Sequence, residues 1–92
     1  MQPIKMEIEY SPRFRKQFKK SPQNVRKAFD ERLNLFVRNP SHQLLRNHQL
    51  TGKLRNLCSI NVTGDWRALY FKRKNGEIVI FELLGTHSQL YK

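Results

Sequence analysis

An α+β fold is predicted for this chain, with two helices packed on a small, mainly antiparallel sheet of four strands. Three observations predict it: period-two alternation near the N-terminus, two Ser-Pro pairs that open helical patterns, and three apolar runs separated by glycines in the second half. The 92 residues suit a single domain, 1–92, and leave no room for a second core. The expected element order is β-α-α-β-β-β.

The first strand is predicted over residues 4–9, where apolar and polar side chains alternate. Ile4, Met6 and Ile8 then share one face of the strand. Residues 1–3 are expected to form a loose lead-in.

Ser-Pro pairs at residues 11–12 and 21–22 predict two helix starts, because serine can cap a helix and proline fits its first turn. The helices are expected over 12–20 and 22–38. Apolar residues at spacings of three and four give the second helix a stripe that packs on the sheet: Val25, Ala28, Phe29, Leu33, Phe36 and Val37.

The first helix contacts the core only through Phe14 and Phe18, which are four residues apart. The rest of this helix carries cations and no acid: Arg13, Arg15, Lys16, Lys19 and Lys20. Such a basic face suits a wide surface of nucleic-acid phosphates.

Pro40 ends the second helix, and residues 39–53 form a polar connector that contains His42 and His48. His42 is interpreted as a solvated loop residue. The remaining strands are expected at about 54–62, 65–73 and 77–84, with a glycine at each boundary.

Asn75-Gly76 is the strongest turn signal, since both central positions of a type I′ hairpin turn favour positive φ. The resulting register places Asp65 opposite Thr86, and Trp66 opposite Gly85. A two-residue turn at 63–64 would place Asn61 opposite Trp66. One end of the sheet therefore gathers four side chains: Asn61, Asp65, Trp66 and His87.

Patterning leaves two points open. A β-bulge would shift the register by one residue, and both faces of the sheet carry apolar residues, so the core side is not determined. His48 joins the cluster only if the connector folds back.

The charge is strongly basic, with 18 Lys and Arg against 7 Asp and Glu, a net charge of +11. Cations are spread along the chain rather than collected in a tail. So large an imbalance of charge costs self-repulsion in the compact state, and it attracts polyanions. Nucleic acid is therefore the leading partner class. The alternative is that the charge only confers solubility.

The lone Cys58 excludes an internal disulfide and favours a reducing compartment, the cytoplasm. No run of 18 apolar residues and no secretory signal is present, so no membrane association is expected. No two histidines have helical metal-ligand spacing, and neither a metal nor another cofactor is expected.

Three segments together carry a family resemblance: "IEYSPRFRKQFKK", "GDWRALY" and the closing "GTHSQLY". With the Asn-Gly hairpin, they make the chain resemble the RelE/ParE toxin superfamily of type II toxin–antitoxin modules. Within it, the chain is most similar to the YafQ-like ribosome-dependent mRNA interferases. The match spans nearly the whole chain and implies a RelE-like fold.

The resemblance implies an endoribonuclease that cleaves mRNA in the ribosomal A site without metal, through attack of a ribose 2′-hydroxyl on the adjacent phosphate. It also implies a cognate antitoxin, expected to be acidic, partly disordered when free, and to block or displace residues 86–92. His48 resembles the connector histidine of the family, Asp65-Trp66 its Asp-Trp pair, His87 the histidine of its "GTH" motif, and Tyr91 its terminal aromatic.

The sequence departs from the YafQ-like pattern at two positions. Asn61 stands where those enzymes have a strand histidine, and Leu83 stands where an arginine precedes the "GTH" motif. Arg67 resembles instead an arginine that RelE-like members use on phosphate.

The residue types fit this chemistry, which needs a base for the 2′-hydroxyl, an acid for the departing 5′ oxygen, and cations for the charge on the phosphorane. His87 is the candidate acid, and His48 with Asp65 serve as base and orienting group. Arg67 and Asn61 would position the phosphate, while Trp66 and Tyr91 would stack on bases, although a lone tryptophan is more often core. Cations of the first helix are expected to bind ribosomal RNA: Arg15, Lys16, Lys19 and Lys20.

Two other functions remain open on the sequence alone. One is a ParE-like toxin that inhibits DNA gyrase by binding, which would have no need of three proton-transfer groups at one sheet end. The other is a catalytically weakened nucleic-acid-binding protein of the same fold, which Asn61 and Leu83 would suit.

Overall fold

The computed structural model describes residues 6–91. The chain forms, in order, β1 (Glu7–Tyr10), α1 (Pro12–Lys20), α2 (Gln23–Arg38), β2 (His48–Gln49), β3 (Cys58–Asn61), β4 (Trp66–Arg73), β5 (Ile78–Thr86) and α3 (His87–Leu90). The sheet has the strand order β1-β5-β4-β3-β2, with β1 parallel to β5 and the other neighbours antiparallel. The predicted α+β fold is confirmed, with five strands rather than four.

The extra strand, β2, lies inside the predicted connector. His48 and Gln49 pair with Ser59 and Cys58, so the connector folds back onto the sheet. A strand of two residues has too little length for an alternating pattern, which explains why the sequence does not reveal it.

The first strand begins later than predicted, at Glu7, and residues 1–5, including Ile4, lie outside the described residues. Met6 and Ile8 pack against the core, as the alternation predicts. No helix within residues 6–91 is long and apolar enough to cross a membrane.

The two serines of the Ser-Pro pairs act differently. Ser11 caps α1 as predicted, since its Oγ accepts the Phe14 N–H at 3.0 Å. The predicted cap at Ser21 is wrong. Its Oγ donates to the Phe18 carbonyl at 2.6 Å and so closes the end of α1, while α2 starts at Gln23 without a side-chain cap.

The core lies between the two long helices and one face of the sheet. It contains a cluster of aromatic rings, with Phe29 and Phe81 at 5.2 Å and Phe36 and Tyr70 at 5.1 Å between ring centroids, both edge to face. Ile60 and Ala68 are buried on the same side of the sheet. The opposite face is therefore free to carry the polar residues of β3 and β4.

Val37 departs from the predicted apolar stripe of α2. Its side chain is 45% exposed, whereas Val25, Phe29 and Phe36 are buried. The contact of α2 with the core therefore ends at Phe36.

The β4–β5 hairpin has the predicted turn. Asn75 has φ 58° and Gly76 φ 90°, and the Glu77 N–H donates to the Lys74 carbonyl at 3.1 Å, as in a type I′ turn. The predicted register holds from Arg73 opposite Ile78 up to Tyr70.

A bulge between Leu69 and Tyr70 then shifts the pairing by one residue. Trp66 consequently lies opposite Thr86, and Arg67 opposite Gly85, so both predicted pairs at this end are wrong by one position. The β3–β4 turn also differs, because Asn61 faces Arg67 rather than Trp66. A one-residue offset exchanges the side chains between the two faces of the sheet.

Candidate functional site

The face of the sheet opposite the long helices carries the candidate site. Directly paired residues project to the same side of a sheet, so two neighbouring rows can be followed across the strands. One row consists of His48, Ser59, Leu69 and Leu83, and the next of Asn61, Arg67 and Gly85. His48, Asn61 and Arg67 come from different segments of the sequence and thus share one face of the sheet.

His48 enters this surface through β2 and is held by the backbone of the preceding turn. Its Nδ1 lies 2.7 Å from the carbonyl oxygen of Arg46. A carbonyl only accepts, so the neutral ring carries its proton on Nδ1 and leaves a lone pair on Nε2. The exposed His48 side chain is therefore set up to accept a proton at Nε2.

The backbone of Arg46 makes this contact possible. Arg46 adopts φ 45° and ψ 44°, the left-handed region, at the end of the short 3₁₀ helix Gln43–Leu45. Such a conformation is uncommon for a non-glycine residue and needs support from its surroundings.

Asn47 supplies that support. The buried Tyr70 hydroxyl donates to Asn47 Oδ1 at 2.7 Å, and Asn47 Nδ2 donates to the Pro40 carbonyl at 3.0 Å. Burial raises the pKa of Tyr70 well above its usual range, so this hydroxyl remains a proton donor at neutral pH. The connector is thus fixed to the core immediately before His48.

His42, the other connector histidine, has a local structural role. Its Nδ1 accepts the Leu44 N–H at 3.1 Å and caps the 3₁₀ turn.

His87 begins the short helix α3, which follows β5 without a loop. Thr86 and Gln89 form a reciprocal capping box, with Gln89 N–H to Thr86 Oγ1 at 3.2 Å and Thr86 N–H to Gln89 Oε1 at 2.9 Å. The His87 N–H donates to the Asp65 carbonyl at 3.0 Å. This bond brings Asp65 and His87 together, as predicted, although it uses the backbone of Asp65 while its side chain is exposed.

Gly85 allows α3 to turn back closely on β5. A Cβ at this position would lie 3.1 Å from Gln89 Oε1 and 3.2 Å from Leu90 Cδ2. The missing side chain therefore helps to fix the direction in which α3 leaves the sheet.

Tyr91 connects the two histidine regions. Its ring centroid lies 4.6 Å from that of His87, and its hydroxyl lies 3.5 Å from Ser59 Oγ, at the long limit of a hydrogen bond. Ser59 is fully buried and is the direct partner of His48. The C-terminal aromatic thus lies across the surface between His87 and the His48 row.

Arg67 holds the turn that presents Asp65. Its Nη1 donates to the carbonyl oxygens of Thr63 and Trp66, both at 3.0 Å, and both terminal nitrogens lie 3.3 Å from the Gly64 carbonyl. Because Arg67 pairs with Gly85, Leu83 is its diagonal neighbour on the same face. Arg67 on β4 is therefore a cross-strand neighbour of Leu83 on β5.

Trp66 lies on the opposite face, towards the helices. It packs against the core and lines a groove with Gln17 and Lys20 of α1 and Leu90 of α3. The structure therefore separates Trp66 from Asn61, which the predicted register had placed opposite it.

The basic side chains of α1, like Trp66, lie on the helical side of the sheet. All four residues predicted to bind ribosomal RNA are exposed: Arg15, Lys16, Lys19 and Lys20. Arg15 lies over the Tyr10 ring, with Cζ 5.8 Å from the centroid. They form a separate basic surface on the helical side of the sheet.

Sequence reasoning missed several residues that shape the site. Arg46, Asn47 and Ser59 act through backbone conformation, a long-range hydrogen bond and a cross-strand position, and no local signal marks them. Gln89 could have been found, because Thr86 followed three residues later by glutamine is a capping-box signature. Within residues 6–91, no group of three or more His, Cys, Asp or Glu side chains could hold a metal ion.

Comparison with known proteins identifies relatives of the whole chain. Residues 6–92 match the family model described as bacterial toxin of type II toxin-antitoxin system, YafQ. No curated protein matches the chain at a significant level.

Several solved structures share the fold. YafQ from Escherichia coli strain BL21(DE3) is 23% identical, with a TM-score of 0.78 over 96% of this chain and 100% of that chain. A chain of the E. coli DinJ-YafQ toxin-antitoxin complex is 24% identical, with a TM-score of 0.70 over 97% and 100%. A chain of the RelBE2 toxin-antitoxin complex from Mycobacterium tuberculosis is 18% identical, with a TM-score of 0.73 over 91% and 100%.

Proposed function

The chain belongs to the YafQ family of bacterial type II toxins, and we propose that it is an endoribonuclease that cleaves mRNA in the ribosomal A site. The observation that carries this proposal is the surface shared by His48, Arg67, His87 and Tyr91. The Tyr91 ring lies against His87 and its hydroxyl reaches Ser59, the strand partner of His48. Two histidines and a held cation on this surface provide what cleavage by a 2′-hydroxyl needs.

The proposed reaction uses the two histidines as base and acid. His48 Nε2 removes the proton of the ribose 2′-hydroxyl, and the 2′ oxygen attacks the adjacent phosphorus. The bond from phosphorus to the 5′ oxygen breaks, His87 protonates that oxygen, and a 2′,3′-cyclic phosphate remains. The hydrogen bond between His48 and the Arg46 carbonyl supports the first assignment, because it leaves Nε2 free to accept a proton.

Asp65 is assigned an orienting role in this proposal. Its carbonyl fixes the first residue of α3, and its exposed carboxylate is available to hold the His87 ring in a substrate complex. Asn61, which cannot exchange a proton near neutral pH, is assigned to positioning the substrate beside its partner Arg67.

Charge on the phosphorane is stabilised by Arg67 in the proposed site. Its guanidinium is already held by three turn carbonyls, so little ordering is needed when substrate binds. Base stacking is assigned to Tyr91, since Trp66 lies on the helical side. One stacked base contributes about 1 to 3 kcal/mol.

Ribosome binding is assigned to the basic surface of α1, and control to a cognate antitoxin, as in the complexes formed by the E. coli and M. tuberculosis relatives. Because translation takes place in the bacterial cytoplasm, the proposed activity belongs to that compartment. The net charge of +11 favours an acidic partner that competes with RNA.

Expression in bacterial cells tests the proposal, with 5′ ends of mRNA mapped by primer extension. Growth arrest with breaks in translated codons, both absent for His87→Ala, is the expected result. Growth arrest that persists in His87→Ala, without mRNA breaks, would contradict the proposal. Inhibited gyrase in extracts of those cells would then identify the ParE-like alternative.

A further inference from the structure

A groove at the outer edge of β3 borders the candidate site and shares Asn61 with it. This edge groove is lined by Arg32, Gln43, Arg46, Asn61, Thr63 and Gly64, together with Leu44. Its volume of about 500 Å³ lies within the usual range of ligand clefts.

The groove exists because β2 is so short. Within the described residues, β2 pairs only with Cys58 and Ser59 of β3. The left-handed turn at Arg46 carries the connector away from the sheet, so no strand among residues 6–91 lies opposite the edge of β3 beside Asn61. The space between the connector, α2 and the β3–β4 turn remains open.

The side chains around the groove favour an anion with a polar neighbour. Two basic residues, Arg32 and Arg46, line it, and no acidic residue is among its lining residues. Gln43, Asn61 and Thr63 add amide and hydroxyl groups that both donate and accept hydrogen bonds. Arginine binds phosphate in a two-pronged geometry, while amides and hydroxyls read the edges of unstacked bases.

The groove is also continuous with the proposed catalytic residues. Arg46 lines it and also holds His48 through its carbonyl. Thr63 and Gly64 line it and also accept hydrogen bonds from Arg67. A chain of nucleotides crossing the site could therefore enter this groove without leaving the surface.

We propose that the edge groove binds one nucleotide of the single-stranded message, next to the nucleotide that is cleaved, with Arg32 and Arg46 on its phosphate. This proposal rests on the function proposed above. Arg46 then belongs to both the edge groove and the candidate site. A phosphate bound to Arg46 would also stabilise the backbone carbonyl that orients His48.

Binding of a short RNA by the isolated protein tests the groove separately from cleavage. The probe is a fluorescent six-nucleotide single strand with 2′-O-methyl groups, which cannot be cleaved, followed by fluorescence anisotropy between 50 and 200 mM salt. Each phosphate that is no longer neutralised on a single strand reduces the slope of log K against log salt by about 0.7. Because Arg32 and Arg46 share one phosphate, Arg32→Gln with Arg46→Gln should weaken binding about fivefold near 0.1 M salt.

Arg38→Gln is the matched control, because Arg38 lies on the same helix, is exposed, and contacts only the Asn34 carbonyl among the described hydrogen bonds. It should bind RNA within about twofold of the unaltered protein. Arg32→Gln alone leaves the turn at Arg46 intact and should still weaken binding, while Arg46→Lys should retain most of it.

Equal binding by the double variant and Arg38→Gln, or no salt-dependent binding by the unaltered protein, would overturn the proposal. So would loss of affinity for an acidic peptide in the double variant with RNA binding intact, which would assign the groove to a protein partner. Normal RNA binding that depends on the groove, without ribosome-dependent cleavage, would instead remove the proposed function and leave the groove as an RNA site.

Discussion

At the scale of single residues, the histidines differ in how they are held. His48 is oriented through Nδ1 by a backbone carbonyl, His87 is placed by the hydrogen bond of its own N–H to Asp65, and His42 caps a turn. Three histidines that look alike in the sequence thus have separate positions and separate roles in the proposed function.

We predict that His48→Asn abolishes most cleavage while preserving the connector. The amide of the introduced asparagine can donate to the Arg46 carbonyl as Nδ1 does, but it cannot remove a proton, so the cleavage rate should fall by about 10² to 10⁴-fold. His42→Asn is the control, since asparagine also caps turns, and it should cleave normally. A His48→Asn protein as active as this control would exclude His48 as the base.

We predict that Tyr70 makes folding sensitive to high pH. Its pKa is raised in the folded protein above the usual value of 10.0, chiefly by burial, so its contribution to stability is present below pH 10 and is lost as the pH rises beyond that value. Denaturant unfolding from pH 7 to 11 should therefore show a steeper loss of stability for the unaltered protein than for Tyr70→Phe.

The same substitution should also cost about 1 to 3 kcal/mol at pH 7, because Asn47 Oδ1 loses its partner. Tyr91→Phe is the matched control, since the Tyr91 hydroxyl makes only a 3.5 Å contact. Parallel pH curves for the unaltered protein and Tyr70→Phe would contradict the assignment.

At the scale of elements, α3 places His87 and Tyr91 at the end of β5. The sequence shows the polar and aromatic residues of this stretch but not their helix, because four residues are too few for a periodic pattern. The capping box and Gly85 are the local features that determine where His87 and Tyr91 lie.

We predict that Gly85→Ala displaces α3. The new Cβ would require Gln89 or Leu90 to move, at a cost of about 1 to 3 kcal/mol, and would lower cleavage by shifting His87. Gly64→Ala is the control for stability, since a Cβ there meets nothing within 4 Å. Hydrogen exchange should show lost protection of the His87 and Tyr91 amides in Gly85→Ala only. Unchanged exchange at both amides would show that Gly85 does not position α3.

We predict that the basic face of α1 determines binding to the ribosome. Changing Arg15, Lys16, Lys19 and Lys20 to Glu should weaken sedimentation with ribosomes and flatten its salt dependence, since fewer counterions are released. The candidate site lies on the other side of the sheet, so its fold should persist. An unchanged salt slope would remove α1 from the interface.

At the scale of the whole molecule, the sequence predicts the parts that depend on local chemistry. The bounds of α1, the end of α2 at Arg38 and the Asn75-Gly76 turn follow from capping, periodicity and φ preferences. The relative position of the segments depends on long-range pairing, and there local signals fail. The β3–β4 turn paired Asn61 with Arg67 instead of Trp66, the bulge between Leu69 and Tyr70 shifted the β4–β5 pairing by one residue, and the fold-back of β2 brought in His48.

For the candidate site too, the sequence predicts some residues and misses others. Residue types and the family resemblance identify His48, Asp65, His87 and Tyr91, whose roles stay predictions. The supporting contacts of Arg46, Asn47 and Ser59 come only from the three-dimensional arrangement, because each joins residues from separate segments or depends on one backbone conformation.

The central claim, that this chain cleaves message on the ribosome with His87 as the acid, is tested most directly by single-turnover cleavage. Purified protein would be mixed with ribosomes carrying a defined mRNA codon in the A site, and the 2′,3′-cyclic phosphate product followed over time. His87→Ala should cleave about 10² to 10⁴-fold more slowly than the unaltered protein while binding ribosomes equally well. Cleavage by His87→Ala at a near-normal rate would contradict the claim.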